Sequence, residues 1–111
     1  MLRIILEHEG YAMLEVGNGL EAVKMAGRER PDLVLMDGTL PGLDGLSATR
    51  RMREQESLRG MPIVVLSGHA TPEFKAAARA AGCDASLTKP LDIAELRSIL
   101  ARLLPTYSHA A

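Results

Sequence analysis

Three polar side chains stand directly behind apolar stretches: Asp37, Ser67 and Lys89. Asp37 closes the run Leu33-Val34-Leu35-Met36, Ser67 closes Ile63-Val64-Val65-Leu66, and Lys89 follows the short stretch 84–88. A carboxylate, a hydroxyl and an ammonium brought to one edge suit phosphoryl transfer. The carboxylate can act as the nucleophile. The hydroxyl and the ammonium can bind the phosphoryl oxygens, where charge concentrates in the transition state. Magnesium ordinarily offsets the repulsion between a carboxylate and a phosphate. The plainer reading makes Asp37 and Ser67 strand-end turn residues and Lys89 a surface cation. Composition and spacing leave both readings open.

The three residues meet only if the elements carrying them lie side by side. The continuous apolar runs suit strands covered on both faces. Leu2, Ile5 and Leu6 recur at helical spacing within residues 1–9. Residues 12–16 read as a short strand and Gly17-Asn18-Gly19 as a turn. Asn18 is placed to cap a helix reaching Glu29, with Leu20, Val23 and Ala26 on one face. After the loop 38–45, the spacing predicts a helix over 44–55, with Leu46 and Met52 inward and Arg50, Arg51 and Arg53 solvated. Thr71 caps a helix that opens with Pro72-Glu73 and ends at Ala81, where Gly82 stops it. Residues 84–88 form a strand of poor strand composition. Asp92 caps a last helix whose apolar face carries Ile93, Leu96, Ile99, Leu100, Leu103 and Leu104. Strand and helix alternating in this way predict a parallel sheet with helices on both faces. In such sheets the functional site lies at the carboxyl ends of the strands.

Composition narrows the classes. The chain has 111 residues, 47% of them hydrophobic, which suits one domain with a core and excludes a disordered chain. Its 13 basic and 14 acidic residues leave a net charge of -1, so the footprint of a nucleic-acid or anionic-membrane binder is absent. The apolar runs are strand-sized, not membrane-sized. One cysteine, Cys83, makes no internal disulfide, and a cytoplasmic location is expected. His69 and His8-Glu9 lack partners at metal-ligand spacing.

The motifs together resemble the receiver domain of two-component response regulators. Asp37-Gly38-Thr39-Leu40-Pro41-Gly42-Leu43-Asp44-Gly45 is similar to the family's phosphoacceptor loop. Ser67-Gly68-His69-Ala70 matches its hydroxyl position, and Lys89-Pro90 its lysine and following proline. The resemblance spans residues 1–104 as one receiver domain, with 105–111 a tail. It implies a flavodoxin-like doubly wound α/β fold with strand order 2-1-3-4-5. It implies that Asp37 accepts a phosphoryl group from a phosphohistidine of a histidine kinase or phosphotransfer protein. Ser67 would hydrogen-bond that group and Lys89 would pair with it. Magnesium would sit on the Asp37 carboxylate and the Thr39 backbone carbonyl. The Lys89–Pro90 bond would be cis. The implied role is signalling, not enzymatic turnover.

Two departures from the family pattern stand out. Receivers open with an apolar strand ending in two acids that hold magnesium, and that strand lies at the centre of the sheet. Here the sequence starts within the following helix, so four strands and a weakened magnesium site are expected. The strands at 12–16 and 32–37 would either keep open edges, inviting a homodimer, or pair with each other. The second departure is Ser86, where the family usually carries an aromatic residue whose ring moves on phosphorylation. Two alternatives stay open. One is a phosphorylation-independent interaction module of the same fold. The other is a small hydrolase using Asp37, which would need a second carboxylate nearby.

Overall fold

A computed structural model of the chain describes residues 13–16, 19–29, 31–37, 44–68 and 71–104. In chain order the elements are β1 (Met13–Val16), α1 (Gly19–Glu29), β2 (Leu33–Asp37) and α2 (Gly45–Glu54). A short 3-10 turn at Glu56–Leu58 follows, then β3 (Ile63–Ser67), α3 (Pro72–Ala81), β4 (Ala85–Thr88) and α4 (Ile93–Leu103). The helix expected at 1–9, the Asn18 cap and the tail at 105–111 lie outside the described residues.

The four strands form one parallel sheet in the order β1-β2-β3-β4. Of the two arrangements expected for β1 and β2, the chain adopts direct pairing, with Met13 level with Leu33 and Val16 level with Met36. The backbone groups that face each other across this junction are thereby satisfied.

Strand alternation divides the core in two. Val34 and Met36 of β2, with Ile63 and Val65 of β3, face one side. There they meet Ala22 and Ala26 of α1, Ala48 and Met52 of α2, and Ala78 of α3. Leu33, Leu35, Val64 and Leu87 face the other side, against Leu96 and Leu100 of α4 and Leu104 just past its end. The apolar runs are continuous because both faces of β2 and β3 are covered.

Side-chain caps fix three of the helix starts. The Asp44 carboxylate accepts from the Leu46 and Ser47 amides, each at 3.0 Å. The Thr71 hydroxyl accepts from Phe74 N–H at 3.1 Å, and Asp92 accepts from Ala94 and Glu95 at 2.8 and 3.2 Å. Gly82 ends α3 in the left-handed region at φ 108°.

Two residues expected to face inward do not. Leu20 is 45% and Ile93 38% exposed. Each stands in the first turn of its helix. Helical side chains lean toward the amino terminus, so a first-turn residue projects past the end of its own element.

Candidate functional site

The register places the sequence-predicted residues on three consecutive strand ends. Asp37, last in β2, is level with Leu66 of β3. Ser67, last in β3, is level with Thr88 of β4. Lys89 comes next, and its backbone N–H donates to the Ser67 carbonyl at 2.8 Å. Neighbouring strands lie about 4.8 Å apart, so the backbones of Asp37 and Lys89 are separated by roughly 10 Å across β3. A lysine's flexible four-carbon stem spans much of that distance.

Each residue sits where it does for a local reason. The apolar run before Asp37 has to stay within the two-faced core, so the first polar residue marks the strand's exit. Ser67 is fully buried, and a buried hydroxyl needs a hydrogen-bond partner. Lys89 is exposed, and the Lys89–Pro90 peptide bond is cis, as expected. Asp44 stands immediately before α2 and caps it. The Asp44 carboxyl is held below its ordinary value of 3.8, first by the Ser47 amide. The Ser47 hydroxyl, donating at 2.9 Å, and the Leu46 amide act in the same direction, while desolvation opposes them.

A divalent cation of the magnesium type takes several oxygen ligands and prefers carboxylates. Among the described residues no group of three His, Cys, Asp or Glu gathers to hold one. Asp37 is the aspartate at the end of β2. Thr39, the other expected ligand, and His69 lie outside the described residues.

Sequence reasoning missed Arg53. It was expected in solvent beside Arg50 and Arg51, which are exposed. Instead its guanidinium is half-buried and fully engaged. Nε donates to the Gly82 carbonyl at 3.0 Å. One terminal nitrogen donates to the carbonyls of Leu58, Arg59 and Met61 at 2.8, 3.0 and 2.7 Å. The other pairs with the Asp84 carboxylate at 2.9 Å. The same carboxylate oxygen accepts from Ile63 N–H at 2.8 Å. Arg53 thus ties the end of α2 to the starts of β3 and β4, at the opposite end of the sheet from Ser67 and Lys89. No local pattern announces five convergent acceptors. The available hint is its place four residues after Thr49, which is fully buried on the same helix.

Cys83 is buried, as the sequence suggested, with its sulfur 3.6 Å from the Thr49 hydroxyl. Burial pushes its thiol pKa up, outweighing the nearby Thr49 hydroxyl and the charge of Arg53. Ser86 lies in β4, level with Val65 and half-buried.

A parallel sheet with an aspartate, a serine and a lysine on consecutive strand ends, the lysine followed by a cis proline, defines the receiver class. The model of the response regulator receiver domain matches residues 1–101, and the chain belongs to that family. The polar-differentiation response regulator DivK of Brucella anthropi is 34% identical over 93 residues, covering 84% of this chain and 76% of that protein. Among solved structures, the chain is similar to the receiver domain of a sensor histidine kinase from Pseudomonas aeruginosa. Identity is 40% and the TM-score 0.80, over 95% of this chain and 86% of that one. That structure carries a magnesium ion coordinated in its active-site cleft. The receiver domain of a signal transduction histidine kinase from Syntrophus aciditrophicus is 34% identical, with a TM-score of 0.78, over 99% of this chain and 83% of that one. Receiver domains are signalling domains that work with histidine kinases or phosphotransfer proteins. No helix among the described residues is long and apolar enough to cross a membrane.

Proposed function

We propose that this chain accepts a phosphoryl group from a phosphohistidine onto Asp37. The observation that carries the reading is the row of Asp37, Ser67 and Lys89 on adjacent strand ends, locked by the Ser67–Lys89 backbone bond. An Asp37 carboxylate oxygen attacks phosphorus, the bond from phosphorus to imidazole nitrogen breaks, and an acyl phosphate forms. The departing imidazole keeps the bonding pair and takes up a proton. Lys89 pairs with the phosphoryl oxygens, and the Ser67 hydroxyl hydrogen-bonds them once the group is attached.

With one carboxylate on these strand ends, magnesium binding by this chain is weak and phosphoryl uptake slow. The test is intact-protein mass after incubation with acetyl phosphate and magnesium, with Asp37→Asn as control. A phosphate-sized gain, lost in the control, is the expected result. No gain at any magnesium concentration sinks the reading in favour of the second one, a module that binds partners without phosphorylation. Ser86 favours that second reading, because a serine in β4 has no ring to couple the site to the outer surface. Ser86→Tyr with an unchanged output response would count against a coupling muted by Ser86.

A further inference from the structure

We propose that Asp84, held by Arg53, is a positioning residue for the candidate site: it sets the offset of β4 against β3 and so holds Lys89 beside Ser67. The consequence for rate rests on phosphoryl uptake at Asp37, whereas the placing of Lys89 does not.

Asp84 joins the start of β4 to the start of β3 through both its backbone and its side chain. Its N–H donates to the Ile63 carbonyl at 2.8 Å. Its Oδ2 accepts from the Ile63 N–H, also at 2.8 Å. The carboxylate does at the entrance of the ladder what a strand carbonyl does further along. Two bonds to one residue of β3 fix where β4 begins. Arg53 fixes the carboxylate in turn, 2.9 Å from the same oxygen. Its guanidinium also holds the chain entering β3 by the Met61 carbonyl at 2.7 Å, and the chain entering β4 by the Gly82 carbonyl at 3.0 Å. Both strand entrances are thus tied to one planar group on α2.

β4 needs this tie because its side chains specify its offset weakly. It has four residues, and Leu87 is the buried one. β3, by contrast, buries Ile63, Val64, Val65 and Ser67. Register is firmly set where a strand buries a face and poorly where it does not. From Asp84 the offset carries along the ladder, with Ala85 level with Val64 and Thr88 level with Ser67. It ends in the bond from Lys89 N–H to the Ser67 carbonyl, 2.8 Å long. A slip of one residue moves a strand by about 3.3 Å. A misplacement of about 1 Å in a group that orients reacting atoms can cost about 10²-fold in rate. Loss of Asp84 therefore reaches Lys89 without touching it.

The test uses the full chain and reads Lys89 directly. In Asp84→Ala the native-state amide proton resonance of Lys89 should move upfield, and uptake from saturating acetyl phosphate should slow about tenfold or more. Asp84→Asn, which keeps an oxygen for the Ile63 N–H, should lie between alanine and parent in both readouts. Arg53→Lys should move the Lys89 resonance in the same direction, and it carries the test where alanine at 84 does not fold. Ala26→Gly lies in α1, against α2 and β2, and weakens the fold without touching the tie. It should leave the Lys89 resonance in place and uptake per folded molecule as in the parent. An unmoved Lys89 resonance in Asp84→Ala or Arg53→Lys would overturn the proposal. So would a moved resonance with parent-like uptake, or an Ala26→Gly variant that changes both readouts as far, since the tie would then act through stability alone. If the parent itself takes up no phosphate, the Asp37 reading fails, and the Lys89 resonance alone decides the positioning.

Discussion

Asp44 caps α2, so one carboxylate decides how the start of that helix is anchored. It accepts from two amides and from the Ser47 hydroxyl. Asp44→Ala should cost about 1 kcal/mol of stability, read as a shift in urea midpoint at unchanged slope. The carboxyl pKa is lowered in the folded chain. Its contribution is therefore complete above the ordinary value of 3.8 and fades as pH falls through the lower folded value. The difference between parent and variant should shrink in acid, and a difference that stays constant down to the acid limit would refute this account. Capping was legible in the sequence because Asp44, Thr71 and Asp92 each stand just before a periodic apolar stretch. Cys83 was legible too, as a small buried residue beside a glycine. Burial raises its pKa, so alkylation near neutral pH should be slow in the folded chain and should accelerate with urea along the unfolding curve. Rapid labelling of the native chain would contradict it.

Between elements, the Arg53 clasp shows where sequence patterns stop. Helix and strand periodicities report which face is apolar. They do not report that the 3-10 turn, the residues leading into β3 and the end of α3 all turn carbonyls toward one guanidinium. Replacing Arg53 by Ala strands these acceptors and the Asp84 carboxylate together, which should cost about 2–4 kcal/mol. Lysine should recover only part, because it carries one point of charge where arginine offers a planar fork of donors. Full recovery by lysine would show that charge alone matters. Gly82 belongs to the same knot. Its φ of 108° suits glycine, and a Cβ there would lie 2.8 Å from the Arg53 Cγ. Gly82→Ala should therefore cost about 1–3 kcal/mol, and Arg53→Ala should relieve part of that cost. Strictly additive losses in the double variant would argue against the contact.

Across the whole molecule, the sheet order is the feature that sequence periodicity could not decide. The apolar runs announce strands with two covered faces, but not which run lies beside which. The chain pairs β1 directly with β2, and among the described residues the sheet carries three helices on one face and one on the other. Three described helices, α1, α2 and α3, pack on the face of Val34, Met36 and Val65. On the face of Leu35, Val64 and Leu87, α4 is the described helix. Among the described residues, a cavity made on the first face is shared among three helices, whereas one made under α4 bears on that helix. Leu100 is fully buried there. Leu100→Ala should remove about 2–5 kcal/mol from a domain whose total stability is on the order of 5–15 kcal/mol, so the chain stays folded but its cooperativity divides. Amides of α4 should then exchange through a local opening well below the global free energy, while those of α1 and α2 follow global unfolding. An equal loss of protection in every element would mean instead that α4 and the three-helix face unfold as one unit, and that the uneven cover has no energetic consequence.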